Sequence, residues 1–499
     1  MDFQQIPGEW AVPGSYTEIQ DVPAQNTLTG MPLRCVVIGP LEGGSGVAAT
    51  VYEEISAAQA VQLFGVGSVL AQMVKAFAKE QPTLSIDAVA TAPVSGAVDA
   101  TGTLVFSGTA TGAGTSAIIL GGYRVSYPVA SGASATEAAQ AFVSAANSAA
   151  ANASASDLQV TTGLLVALGT DGVTVTVTAK SKAALGNQID LRVSSASSDL
   201  VPGISIAVTA MSGGAGSPDI TSAIAALGNT WYTDVVLAFN DQPNLETAVA
   251  AAEAAGNAMV AQDMRLWSAY NGTQGEILAL TAAFSTAEVL VIVGATAPRW
   301  SPWLAASVAG ANGAQSLNTD PARQLRGIAL NGLAGLGPDA SSQFTPAQRN
   351  VLLRGGCTTL QLNRDGTVAF ERVVTTRQVD PTSQVSVAPW DVMIPAIAAR
   401  VRYEWNAYIE ATYYNAKLAD VGSPLENTDG VVTIKTLAGS WVAQCLLYQA
   451  QGWIDDVATL GGEAVFQRDA TDRNRVNSTL PIKPMGSLIV LANILKVQV

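Results

Sequence analysis

Histidine occurs nowhere in the 499 residues. Its absence removes Ser-His-Asp and Cys-His catalysis, the HExxH zinc motif and the usual near-neutral general base. Cysteine is scarce as well. Cys35, Cys357 and Cys445 are far apart, odd in number and never in a CxxC pair. That pattern argues against a disulfide framework or a thiolate zinc site, and it reads as three buried thiols. Only 13% of residues are charged, roughly half the share usual in soluble domains. Hydrophobic residues make up 48% and the mean hydropathy is +0.29. Much of the surface must therefore be apolar or weakly polar, a composition that leans toward burying surface against copies of the same chain. No run of about 18 or more apolar residues exists, and the opening MDFQQIPGEW lacks the basic then apolar pattern of a signal peptide. The expectation is a soluble, cytosolically made chain with no membrane contact.

What charge there is runs acidic, with 25 basic against 39 acidic side chains and a net of -14. Such a balance repels a phosphate backbone unless a basic patch is well segregated, and none is visible, so no direct nucleic-acid partner is expected. The length suggests about two to four domains with a large buried apolar volume.

Pro7, Pro13 and Pro23, with short β-prone text such as SYTEI at 15–19, make residues 1–30 an extended arm. The text then turns α/β over 31–94. RCVVIG from Arg34 fits a buried strand, a helical run follows with Gly65 and Gly67 as candidate breaks, and TLSIDAVA at 83–90 is the next strand. Residues 95–215 shift to Ala, Gly, Ser, Thr and Val and contain no tryptophan. TGTLVFSGTA at 101–110, YRVSYPVA at 123–130 and GVTVTVTAK at 172–180 alternate with a period of two, so this stretch reads as an inserted β-rich domain.

Residues 216–380 return to α/β text, with TDVVLAF at 233–239 and EVLVIVG at 288–294 as buried strands, and with a hairpin turning at Asn363 to Gly366. Residues 381–485 read as an α+β domain. One helix carries Ile394, Ile397, Val401, Trp405, Tyr408 and Thr412 on one face, and a second stacks Leu437, Trp441, Cys445 and Tyr448. The β-prone GSLIVLANILKVQV at 486–499 forms a second arm. Residues 381–499 hold 9 basic and 11 acidic side chains, so nearly all the net negative charge lies upstream.

Signals for chemistry are weak. GSGVAA at 44–49 loosely fits a GxGxxA dinucleotide pattern, but no helix opens directly after it and no acidic residue stands about 20 positions on, so it reads as a glycine-rich surface loop. No GxxxxGK[ST] or GxSxG occurs. Asp455, Asp456, Asp469 and Asp472 lack calcium-loop spacing and read as solvated or interface charges, with Arg468, Arg473 and Arg475 as candidate partners. No cofactor, metal or catalytic residue is expected.

Several strings, in order, carry a resemblance: VPGSYTEI, LFGVGSVLAQM, GTLVFSGTATGAGT, AMSGGAGSPDI, ALGNTWYTDVV, AKLAD at 416–420 and QRDATDRNRVNSTLPIKP at 467–484. Together they resemble Mu-like contractile phage tail sheath proteins over nearly the whole chain. ATYYN before AKLAD departs from the family pattern toward a less basic text, and Ala492 and Asn493 are departures within the closing strands.

The resemblance implies a subtilisin-like α/β core without a protease triad, since histidine is missing. It also implies hexameric rings stacked helically around a tail tube, a stack that shortens on firing, baseplate and tail terminator proteins as further partners, and a place in the virion after assembly in the bacterial host cytoplasm. The β-prone termini are expected to donate strands to neighbouring subunits, through Val12, Tyr16 and Ile19 at one end and Leu488, Ile489, Val490, Leu491, Ile494 and Leu495 at the other. Lys435, Asp455, Asp456, Arg468, Arg473 and Arg475 are the expected tube or subunit contacts, and the insert is expected to face outward. The alternatives are the sheath of a related non-phage injection device and a surface adhesin.

Overall fold

A computed structural model describes residues 28–152, 163–380, 382, 384–385, 390–426 and 428–497. The Val12, Tyr16 and Ile19 of the first arm lie outside these described residues. The chain enters a six-residue strand, β1 (Cys35–Pro40), buried along its whole length. Next come β2 (Val51–Tyr52), α1 (Ala57–Phe64), α2 (Val69–Glu80) and β3 (Ile86–Thr91). A capping box between Ser56 and Gln59 opens α1, and Ser68 caps α2 by accepting from the Ala71 N–H. Gly65 and Gly67 separate the two helices because both take positive φ, +95° and +78°, which a side-chain-bearing residue resists.

From Asp99 the chain builds a β-rich unit. Its elements are β4 (Asp99–Gly108), β5 (Gly114–Leu120), β6 (Tyr123–Val129), α3 (Ala135–Asn152), β7 (Leu164–Leu168), β8 (Thr174–Lys182), β9 (Leu191–Val193) and β10 (Ile204–Ser212). They form a four-stranded sheet in the order β10-β4-β8-β7 and a three-stranded sheet in the order β6-β5-β9, all antiparallel. The alternation legible in the sequence is physical: β4 and β8 bury every second residue. α3 packs against β4, β6 and β7. Phe106, Tyr127 and Phe142 meet between the layers with ring centroids 5.5–6.4 Å apart.

Beyond this unit lie α4 (Thr221–Ala226), β11 (Asp234–Leu237), α5 (Gln242–Ala255), β12 (Arg265–Asn271), α6 (Gln274–Ala282), β13 (Leu290–Ala295) and α7 (Pro302–Thr319). β11 pairs with β1 as if nothing intervened, Cys35 lying opposite both Ile86 and Asp234. One sheet of order β13-β12-β11-β1-β3-β2 results, parallel except for β2. α7 crosses it almost wholly buried, and two glycines permit the approach. A Cβ at Gly313 would sit 2.1 Å from the Trp267 ring, and one at Gly310 would sit 2.6 Å from Val236.

The sheet also holds a buried ion pair. Asp234, fully buried, accepts from Arg265 Nε and Nη2 and from Trp267 Nε1, each at 2.9 Å. α8 (Pro346–Arg354) leads to the hairpin β14 (Thr359–Leu362) and β15 (Val368–Arg372), with Gly366 at φ +85° in its turn.

The final part comprises α9 (Met393–Tyr413), β16 (Lys417–Leu418), β17 (Val431–Val432), α10 (Ile434–Ala450), β18 (Ile454–Asp455), α11 (Val457–Glu463), β19 (Val465–Arg468), β20 (Val476–Thr479) and β21 (Lys483–Pro484). α9 fastens it to the sheet: Arg402 donates to the Gly256 carbonyl at 2.8 Å and pairs with Asp263, and Tyr403 lies against Trp231. Its buried face differs from the sequence expectation. Met393, Ala396, Ile397, Arg400, Val401 and Glu404 are buried, whereas Ile394, Trp405 and Tyr408 are half-buried and Thr412 is exposed. The stripe is rotated because Arg400 and Glu404 satisfy each other and neighbouring groups, so two charges occupy core positions. On α10, Trp441, Cys445 and Tyr448 are buried with Gln444, and Leu437 is half-buried.

Candidate functional site

Among the described residues the thiols are sealed and acidic side chains do not gather into a metal-holding group. No group of three or more His, Cys, Asp or Glu side chains lies close enough there to hold a metal ion. All three thiols are buried, and burial pushes those of Cys357 and Cys445 up to about 12 and Cys35 well above its ordinary value. A reactive thiolate needs the opposite shift.

The glycine-rich loop lines a cavity of about 480 Å³ beside Lys180 and Lys182 of β8. Its glycines serve packing: a Cβ at Gly44 or Gly46 would lie 2.4 or 2.6 Å from the Leu63 carbonyl oxygen at the end of α1. The N-terminus of α2, where an anion would dock, is filled by the chain's own Glu42, whose Oε2 accepts from the Val69 N–H at 3.2 Å. Glu42 Oε1 and the adjacent Ser181 hydroxyl are sealed from solvent without an aligned bond to one another.

Desolvation pushes the Glu42 carboxyl up to about 7, against the opposing pull of Ser181 and the Val69 amide. The folded state therefore holds this proton longer than the unfolded chain, and stability falls as pH rises from about 4.3 to about 7. Glu42→Gln keeps the acceptor for Val69 and removes the buried charge. Its stability gain is expected to be small at pH 5 and to grow to the order of 3 kcal/mol at pH 8. Denaturant melts at the two pH values measure this, and an equal gain at both contradicts the assignment.

The closing segment has a different character. Residues 485–497 belong to no strand among the described residues. Leu488, Val490, Leu491, Ile494 and Leu495 are 69–88% exposed, whereas Ser487 and Ile489 are half-buried, the Ile489 carbonyl accepting from Arg326 Nη1 at 3.4 Å. Contiguous exposed apolar surface of this kind is, in general, what interaction sites present.

The charged residues singled out in the sequence are mostly engaged inside the subunit. Arg468 pairs with Asp420 at 2.5 Å and donates to the Arg473 carbonyl at 2.9 and 2.7 Å. Asp469 accepts from the Thr471 and Asp472 amides and from Asn477, which holds its carboxyl well below the usual carboxylate range. Arg475 Nε lies 3.9 Å from Asp469 and donates to Asn477. QRDATDRNR is thus a self-satisfied turn between β19 and β20. Lys483 sits 4.0 and 3.7 Å from Asp455 and Asp456. Asp472 accepts from the Asn474 amide in the same turn. Lys435, at the start of α10, and Arg473, at the tip of the turn, are exposed.

Missed by sequence reasoning was Glu404, whose carboxylate accepts from the Thr29 and Gly30 amides at 2.8 and 3.1 Å. The helical period alone gives no signal for a buried acid that binds a backbone 374 residues away in sequence.

Residues 213–376 match the family model described as the phage tail sheath protein central domain. The chain is 27% identical over 489 residues to the Mu-like prophage FluMu tail sheath protein of Haemophilus influenzae, a match covering 96% of this chain and 95% of that one. Among solved structures, a sheath tail protein from Desulfitobacterium hafniense aligns at a TM-score of 0.48 and 14% identity, covering 95% of this chain and 97% of the other. One from Listeria innocua aligns at 0.45 and 11%, covering 92% and 93%.

Proposed function

We propose that the chain is a phage tail sheath protein, a reading supported by the central-domain match over residues 213–376 and by the 27% identical prophage relative, that six copies close a ring, that rings stack helically around a tail tube, and that the stack contracts to drive the tube through a host envelope. The protein acts through contacts rather than chemistry, as a virion component with no catalytic site. The observation that carries the assembly reading is the exposed apolar segment 485–497, which finds no strand partner among the described residues. Strand donation to a neighbour would give its backbone groups partners and bury Leu488, Ile489, Val490, Leu491, Ile494 and Leu495. Val12, Tyr16 and Ile19 are proposed to do the same from the other end. A head-to-tail contact of this kind does not close on itself and so grows as an open helical array.

An open array has a threshold concentration, whereas a closed oligomer does not. Pelleting of purified protein across a concentration series is expected to show no polymer below a sharp threshold and linear growth above it. A gradual, saturating oligomer signal contradicts the reading.

The division of labour follows the architecture: a subtilisin-like α/β core over 31–94 and 216–380, an outward-facing insert over 95–215, and a final domain over 381–485 toward the tube. Lys435 and Arg473 are the proposed tube contacts, since both are exposed, while Arg468, Arg475, Asp455 and Asp456 shape the same surface through internal pairs. Baseplate and terminator proteins are proposed to meet the two ends of the stack. Lys435→Glu combined with Arg473→Glu is expected to lower co-sedimentation with assembled tail tube about ten-fold or more at low salt, while leaving the self-assembly threshold unchanged. Unaltered tube binding removes this face from the account.

A further inference from the structure

We propose that the buried cluster of Glu404, Arg400 and Trp453 is a common anchor that holds the roots of both terminal segments at one point on α9. The inference rests on the reading that those segments link neighbouring subunits, and it adds which residues position them.

Thr29 and Gly30 stand where the N-terminal segment joins the folded chain. Their successive amides converge on the two oxygens of Glu404, at 2.8 and 3.1 Å. Gly30 supports this geometry at φ +79°, with no neighbouring atom where a Cβ would be. Glu404 is 2% exposed, so its charge requires compensation in place. Arg400, one turn back along α9, provides it with Nε 3.0 Å from Oε1, as an ion pair rather than an aligned hydrogen bond.

The same guanidinium lies over the Trp453 ring at 5.1 Å. Trp453 in turn holds the other terminus, since its carbonyl accepts from the Met485 amide at 2.9 Å next to the β18–β21 pairing of Ile454 with Pro484. Two residues on, the Ser487 hydroxyl lies 3.7 Å from Met393 Sδ at the first turn of α9.

A continuous chain of contacts therefore runs from residues 29–30 through Glu404, Arg400 and Trp453 to residue 485, although the two roots lie at opposite ends of the sequence. Residues 29–30 are held by the final domain, although they precede the first strand of the sheet. If the final domain turns during contraction, both segments turn with it, and their mutual spacing is preserved. Arg400 is the hinge of this arrangement, because it touches both halves.

The test is amide hydrogen exchange on the full-length protein below its assembly threshold, with two variants read at the root that each does not touch. Glu404→Gln is expected to speed exchange at Thr29 and Gly30 about ten-fold or more by loss of a charged acceptor, and also to speed exchange at Met485. Trp453→Phe keeps the apolar packing and is expected to speed exchange at Thr29 and Gly30 about three-fold. Both should raise the assembly threshold while exchange in β1, β11 and α7 stays as in the parent.

Effects confined to the root each residue contacts directly would overturn the common anchor. Loosening of both roots with an unchanged threshold would overturn its positioning role. If Glu404→Gln unfolds the final domain, Trp453→Phe alone reads the coupling. A chain lacking 486–499 that still assembles would instead break the underlying reading of the terminal segments, a result distinguishable from either.

Discussion

A chain ending at residue 485 is expected to stay folded and monomeric at concentrations where the full-length protein forms polymer. Folding asks little of the deleted segment: its contacts with the rest of the subunit include the Arg326 bond to the Ile489 carbonyl and the Ser487 contact with Met393, and Leu488, Val490, Leu491, Ile494, Leu495 and Val497 are 69–88% exposed. β21, with the Met485 amide bond to Trp453, is retained. The thermal transition should therefore move by no more than about 2 °C, as for loss of surface contacts. Assembly asks much more. Each large apolar side chain that the tail buries on a neighbour contributes about 1.5–3 kcal/mol, and every strand residue adds main-chain bonds, so losing all of them should raise the threshold beyond any practical concentration. Leu491→Pro set against Leu491→Ala in the intact tail separates the backbone from the side-chain share, since both lose the leucine side chain but only proline removes a donor from a paired strand. Scattering or sedimentation reads all three variants, and normal polymer from the truncated chain would sink the strand-donation account.

The second large effect lies in the sheet. Asp234→Ala strands the Arg265 guanidinium, 8% exposed, together with the Trp267 indole N–H, at the start of β11 and β12. Breaking a buried pair in this way costs about 3–5 kcal/mol, which corresponds to a fall in melting temperature on the order of 10 °C for a unit of this size. The pair itself need not be worth that much, because both charges are desolvated. Asp234→Val with Arg265→Met is therefore expected to lose far less than either single change. Calorimetry on the three variants closes the cycle, and additive losses would show that the two side chains do not depend on each other.

This pair shows where sequence reasoning ran short. The strands at 233–239 and 288–294 are legible because their apolar runs are unbroken, and the β-rich unit because every second residue of β4 and β8 is buried. Asp234 and Arg265 each open a buried strand, and opposite charges at the heads of two such runs are a signal that pairing was available to read. α9 was legible as a helix but not in its rotation, since polarity alone places Arg400 and Glu404 in water, whereas mutual pairing and the amides of residues 29–30 place them inside. α7 offers no amphipathic stripe, because small residues on all sides let it lie buried on Trp267. At the candidate surface, the apolar tail was visible in its composition. The pairing of Arg468 with Asp420 and of Lys483 with Asp455 and Asp456 was not, since those partners meet only through the hairpin and β21.

Electron microscopy of the purified full-length protein above its threshold concentration tests the central claim most directly. The account predicts long tubes of uniform width whose end-on views show six-fold rings. A field of monomers, or of closed particles that never elongate, would contradict it.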